Sequence, residues 1–342
     1  MPDKRNSRRR YSYYNPIVGH QSHPFLTDNG LRLQQQGART ESALPYSVSA
    51  ESFVPPPQLL TAAERHALPL QNVLPSRKFP DVRVLDRTPL TSFCSSRLVP
   101  SGSNPQLQAI GKLQISLSHL PQGESASGSA WITGPSTIAT SAHNLFDVSK
   151  RQWSQSVEFL PGHNHYGKQR YPSCHITACS IPKNYFNNPS TNNDIAICHV
   201  DRNIGDIVGQ QITMRTIYDN NVFQENPVVV VGYPAGSGFD FGKQLWVSKG
   251  EYLFGRRNGP NDDFAPALAS DFGGGCSGCP WLLREPNGRY VAVGASSGHA
   301  RLYQVMGEPN LMSLMSPFFG PKMFSALQSD AVFHQFDQST HG

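Results

Sequence analysis

Gly273-Gly274-Gly275-Cys276-Ser277-Gly278-Cys279-Pro280, running straight into Trp281-Leu282-Leu283, decides how the rest of the chain is read. The glycines mark a tight turn with bare backbone, and the turn carries a hydroxyl at Ser277. A phosphate cradle would continue with Lys-Ser/Thr and open a helix, whereas here the next apolar run reads as a strand. The turn therefore offers an alcohol beside exposed backbone amides.

Two further patterns lie upstream of this turn. Gly128-Ser129-Ala130-Trp131-Ile132 is followed by Ile138-Ala139-Thr140-Ser141-Ala142-His143, an apolar strand that ends in small residues and delivers a histidine. Asn193-Asp194-Ile195-Ala196-Ile197 is an aspartate opening an apolar strand. The order is His, Asp, Ser, with gaps of 51 and 83 residues. A serine hydroxyl is a poor nucleophile near neutral pH, so a neutral imidazole must take its proton. The imidazole in turn needs a carboxylate on its other nitrogen to fix the tautomer and stabilise the imidazolium. The glycines let the amides of Gly275 and Ser277 meet an oxyanion, and one such donor is worth roughly 3 kcal/mol of transition-state stabilisation. His143, Asp194 and Ser277 are the expected catalytic residues. Asp147 and Asp201 are weaker candidates for the carboxylate because neither opens an apolar strand.

The surrounding texture is that of an all-β protein. The chain has 342 residues, with 29 Gly, 28 Pro and only 15% charged side chains. Short apolar segments separated by turn residues run from Leu107–Leu117 through Ser129–Ile132, Thr137–Thr140, Ile195–Val200, Val228–Val231, Leu245–Val247 and Trp281–Leu283 to Tyr290–Val293. Many strands without alternating helices point to an antiparallel barrel or sandwich. At the end, Met323, Phe324, Leu327 and Val332 are spaced for a terminal amphipathic helix over Pro321–Phe336. No apolar run reaches the roughly 18–20 residues of a membrane span.

Residues 1–79 read as a largely irregular N-terminal extension, rich in Pro, Gln, Ser and Arg, with one capping-box helix expected at Thr61–Leu68. Residues 80–336 form the folded domain. Of the net charge of +5, the first ten residues carry +4 through Lys4, Arg5, Arg8, Arg9 and Arg10 against Asp3. The folded domain therefore gives no electrostatic case for nucleic-acid binding, although the Arg-rich start leaves RNA association open for the tail. That start lacks the apolar core of a secretory signal, so the extension reads as a propeptide or a targeting segment, with export by a specialised secretion system or a cytoplasmic location both open.

The six cysteines include the close pairs Cys174/Cys179 and Cys276/Cys279. Their spacings do not make a convincing zinc site. Cys276 and Cys279 straddle Ser277, either as buried thiols or as a redox pair that gates the turn. His163 and His165 lie in a loop opened by Pro161-Gly162, and His199 is expected to pack inside its strand.

Thr140-Ser141-Ala142-His143, Asp194-Ile195-Ala196-Ile197 and Gly275-Cys276-Ser277-Gly278-Cys279-Pro280 resemble the three signatures of chymotrypsin-like (trypsin-fold) serine proteases. The bacterial glutamyl endopeptidase (V8-like) branch is the most similar, through Val230-Val231-Gly232-Tyr233-Pro234, Leu245-Trp246-Val247-Ser248-Lys249-Gly250 and Gln108-Ala109-Ile110-Gly111-Lys112-Leu113. The resemblance implies two six-stranded antiparallel β-barrels with the site in their cleft, a protein or peptide substrate, an acyl-enzyme, and no metal or organic cofactor. It also implies substrate contacts at Ser296 and Gly298. Ser296 stands at or beside the place of the branch's glutamate-reading histidine, which puts glutamate preference in doubt. Asp271, six residues before Ser277, stands where the trypsin branch keeps a carboxylate for Arg or Lys; the competing reading is a plain loop residue. His299 is open between a pocket and a surface-loop role. Cys276 replaces an aspartate that takes a freed amino terminus, so that mode of activation is not expected. The competing functional class is a protease-fold protein that no longer cleaves and binds peptides or a partner protein instead.

Overall fold

The computed structural model describes residues 94–100, 103–118, 120, 125–219, 221–256, 265–302 and 311–337. The extension expected at 1–79, its helix at Thr61–Leu68 and the start of the folded domain at residue 80 lie outside the described residues.

The described chain enters through β1 (Cys94–Leu98), which joins the second of two barrels. The first barrel is built from β2 (Ile110–Ser116), β3 (Ala126–Gly134) and β4 (Thr137–Thr140), then, after the small β5 (Phe146–Asp147) and β6 (Gln152–Trp153) ribbon, from β7 (Ser156–Pro161), β8 (Cys174–Pro182) and β9 (Ala196–Val200). The pairing runs β7-β2-β3-β4-β9-β8, and β8 pairs back onto β7, which closes six strands. The period-two pattern of the sequence produces this closure. On β7 the residues alternate between half-buried and buried, with Val157 and Phe159 turned inward. Trp131, Leu113, Ile110 and Phe159 fill the interior.

The short helices α1 (Lys183–Asn187), α2 (Ile204–Val208) and α3 (Asn221–Glu225) lie between β8 and the second barrel. That barrel comprises β10 (Val228–Gly232), β11 (Trp246–Gly250), β12 (Tyr252–Arg256), β13 (Ala265–Ala269), β14 (Pro280–Arg284), β15 (Tyr290–Ala295), β16 (Gly298–Leu302) and β17 (Leu311–Met315). Its ladders form two sheets, β1-β11-β10-β14-β15 and β12-β13-β17-β16. Only Glu251 separates β11 from β12, and only Ser296 and Ser297 separate β15 from β16. Each pair thus acts as one bent strand shared by both sheets, and six strands close around Trp281, Val230 and Leu282. Trp131 and Trp281 are fully buried; truncating such a side chain costs about 3–5 kcal/mol.

Two expectations need correction. The terminal segment is helical only as α4 (Pro321–Ser329); Asp330 leaves helical geometry and β18 (Ala331–Gln335) pairs with β8. The apolar spacing that implied a longer helix counted Val332, which belongs to this added strand. His199 is exposed rather than packed, because β9 alternates and His199 falls on its outer face.

Candidate active site

Three connections bring the distant motifs together. β4 ends at Thr140, and the following turn of 3-10 helix, Ala142–Asn144, places His143 at the barrel edge. Asp194 precedes β9, which pairs with β4. The turn before β14 carries Ser277 and is stapled to the first barrel: Ser129 N–H donates to Ser277 O at 2.8 Å, Asn144 Nδ2 donates to the same oxygen at 3.0 Å, and Ser129 Oγ donates to Gly275 O at 3.1 Å. Ser141 Oγ adds a bond to Ser296 O at 2.6 Å.

His143 and Asp194 form a buried pair, 4% and 0% exposed. The imidazole Nδ1 lies 2.6 Å from Asp194 Oδ2, and the His143 backbone N–H donates to Oδ1 at 2.9 Å. Ser297 Oγ donates a further bond to Oδ2 at 2.5 Å. Three donors offset the cost of burying a carboxylate and fix the ring with its proton on Nδ1. That leaves the lone pair on Nε2, which is buried and has no hydrogen-bond partner among the described residues. Ser277 is half-buried, on a turn bonded to the residues flanking His143, but its hydroxyl makes no hydrogen bond to Nε2.

The turn itself is held open. Gly275 has φ +84°, and an added Cβ would meet the Cβ of Ala235 at 2.6 Å, Ala235 N at 2.7 Å and Tyr233 O at 2.8 Å. Only glycine fits both the backbone angle and the space. Cys276 N–H bonds Gly273 O, and Gly278 N–H bonds Ser296 O, whereas the amides of Gly275 and Ser277 have no acceptor among the described residues. Two free donors beside an alcohol and an imidazole are what an oxyanion requires.

The remaining sequence candidates divide. Asp201 pairs with Arg202, and Asp147 with Ser149 and Lys150, so neither rival takes the place of Asp194. Asp271 is buried, and Ser96 Oγ on β1 donates to it; burial pushes its carboxyl up to about 6. Ser296 does not face a cleft. Its Oγ accepts from Trp281 Nε1, its N–H donates to Cys279 O, and its carbonyl accepts two bonds. Those groups all have partners within the protein. Gly298 opens β16, opposite Met315. The side chain of His299 lies outside the described residues. Cys276 and Cys279 are buried free thiols, and burial raises both thiol pKa values, that of Cys279 to about 12. Sequence reasoning missed Ser297 and Asn144. A second serine beside Ser296 and a polar residue after His143 were the available signals, but each gains its meaning only from the partner across the barrel junction. Among the described residues no group of three or more His, Cys, Asp or Glu is placed to hold a metal ion, and no helix is long and apolar enough to cross a membrane.

The comparisons agree with this architecture. No protein-family model matches the sequence, and no curated protein matches it. Solved structures do match. The protease Anisep from Arthrobacter nicotinovorans superposes with a TM-score of 0.50 at 20% identity, covering 66% of this chain and 98% of its own. The thermostable serine protease AL20 from an extremophilic microorganism gives a TM-score of 0.51 at 21% identity, with 66% and 97% covered. A Glu endopeptidase gives 0.50 at 20% identity, with 68% and 94% covered. The chain has the chymotrypsin-like serine protease fold.

Proposed function

We propose that the protein is a serine endopeptidase that cleaves polypeptides through an acyl-enzyme. The observation that carries this reading is the His143–Asp194 pair, with Nε2 unpartnered, beside two free amides on the turn of Ser277. Ser277 Oγ attacks the scissile carbonyl and gives its proton to His143 Nε2, and Asp194 stabilises the imidazolium. The amides of Gly275 and Ser277 bind the oxyanion. Collapse passes the proton from Nε2 to the leaving amine and leaves the acyl group on Ser277. Water, deprotonated by the same nitrogen, then releases the acid and restores the hydroxyl.

The substrate lies as an added strand along Ser297–Gly298. The carbonyl of Ser297 accepts no hydrogen bond among the described residues and is available to a substrate N–H. Asp271, six residues before Ser277, favours a basic side chain over an acidic one in this reading. The bond from Ser96 supports a second role for Asp271, fastening β1 to the second barrel. Residues 1–79 act as a propeptide or targeting segment ahead of a protease domain at 80–336.

A cleavage profile on a peptide library tests this reading. Cleavage dependent on Ser277, with Arg or Lys before the cut, is the expected result. No cleavage of any peptide favours the binding-only alternative, and a clear preference for Glu overturns the role given to Asp271.

A further inference from the structure

Two segments near the nucleophile turn carry cations that the proposed chemistry does not use. The loop at 162–173 contains His163, His165, Lys168 and Arg170 and no acidic residue. It is tied to the segment 233–243, since His165 N–H donates to Lys243 O at 2.9 Å and Tyr233 Oη donates to His163 O at 3.1 Å. Lys243 Nζ reaches Tyr166 Oη at 3.3 Å and pairs at 3.6 Å with Asp240, the only acid in the second segment. Lys112 is buried beside this group. It pairs in register with Ser129, whose hydroxyl points at Gly275 O, so the two side chains share a sheet face. The positive potential is felt within the cluster: burial and then Lys243 lower Lys112 to about 8, and burial and then Lys112 depress His163.

Aromatic rings stand out from the same surface. Tyr166 is 61% and Phe241 40% exposed. Asp240 and Phe241 both hold positive φ, at 55° and 56°, a strained backbone that keeps Phe241 outside the core. The second segment also reaches the oxyanion turn, because Ala235 N–H donates to Gly274 O at 2.6 Å. β15 and β16 flank the Gly278–Cys279 arm of that turn, and this patch flanks the Gly274–Gly275 arm.

We infer that the surface formed by 162–173 and 233–243 is a docking site for an acidic polypeptide segment, the part of a protein substrate that lies beyond the scissile bond on the leaving-group side. The inference rests on the protease reading for its biological sense, but the surface binds without catalysis. Charge complementarity selects the occupant: Lys168, Arg170 and Lys243 stand on these two segments with Asp240, which pairs with Lys243 at 3.6 Å, and exposed rings offer apolar contact between charges. The chain's own basic start, +4 over ten residues, is repelled by such a surface.

The test is fluorescence anisotropy on the full-length Ser277→Ala protein, with a labelled poly-Glu peptide, its poly-Gln counterpart and a single-stranded DNA of equal charge. At low salt the Glu peptide is expected to bind at least about tenfold tighter than the Gln peptide, with the preference fading as salt screens it. Lys168→Gln/Arg170→Gln, both exposed, should remove most of that preference. Lys183→Gln/Arg289→Gln, an equal charge change elsewhere on the surface, should not. Equal binding of the two peptides, an unaffected loop variant, or DNA binding as tight as the Glu peptide would each overturn the inference. Failure of Ser277 to react with an active-site probe would overturn the protease reading and leave this result standing.

Discussion

Asn144 Nδ2 donates both to the carbonyl oxygen of Ser277 at 3.0 Å and to Thr140 Oγ1 at 2.9 Å, so the residue next to His143 holds the peptide of Ser277. Gly128 makes room for it, since an added Cβ there would come within 2.8 Å of Nδ2. The bond ties the turn of Ser277 to the residue after His143 across the barrel junction. Asn144→Ala should lower kcat about tenfold, the loss of roughly 1–1.5 kcal/mol from one buried bond, with KM little changed. Asn144→Asp should be worse, because a carboxylate would face a carbonyl oxygen. Steady-state kinetics on a cleaved peptide checks both.

Ser297 makes the corresponding contact at Asp194. Ser297→Ala leaves the carboxylate with its two His143 donors and should also lower kcat by about tenfold. Ser297→Thr keeps the hydroxyl and should retain most of the activity. A change confined to KM would show that Ser297 binds substrate and does not position Asp194.

Asp271 gives a pH dependence with a definite sign. Its carboxyl is raised by burial from 3.8 to about 6, so the folded state holds this proton more tightly than the unfolded one. The stability it contributes is fully present below about pH 4 and is lost as pH rises through about 6. Asp271→Asn removes the ionisation and should be more stable than wild type at pH 8, by on the order of 2 kcal/mol. The gap should close as pH falls toward 4. Denaturant unfolding at both pH values measures it, and a gap independent of pH would contradict the buried carboxylate.

The thiols beside Ser277 should be quiet. Burial raises both Cys276 and Cys279, so little thiolate exists near neutral pH. The native protein should resist a thiol-labelling reagent, react after unfolding, and show equal peptidase activity in reducing and mildly oxidising buffer. Activity that switches with redox state would restore the gating reading of this pair.

Local pattern carried much of the fold. Short apolar runs between Gly and Pro turns located the cores of β3, β4, β9, β10, β14 and β15, because burial on one face imposes its period directly on the residues. The order of His143, Asp194 and Ser277 was legible for a similar reason: each sits where a strand or turn of recognisable composition delivers it. What stayed hidden depends on approach in space. Ser96 meets Asp271 from 175 residues away, and nothing near either residue announces the contact. Ser297 and Asn144 are ordinary polar residues until the barrels meet. Ser296 and Ser297 differ by one position, yet Ser296 meets Trp281 and Ser297 meets Asp194, a division that no local pattern announces. β18 was absorbed into a helix because Val332 fits a helical spacing as well as an alternating one.

Labelling of the full-length protein with a fluorophosphonate probe, followed by mass spectrometry of the modified peptide, tests the central claim most directly. The account predicts covalent modification at Ser277, abolished by Ser277→Ala and strongly slowed by His143→Ala. A folded, intact chain that takes up no probe, or takes it up equally after Ser277→Ala, would contradict it.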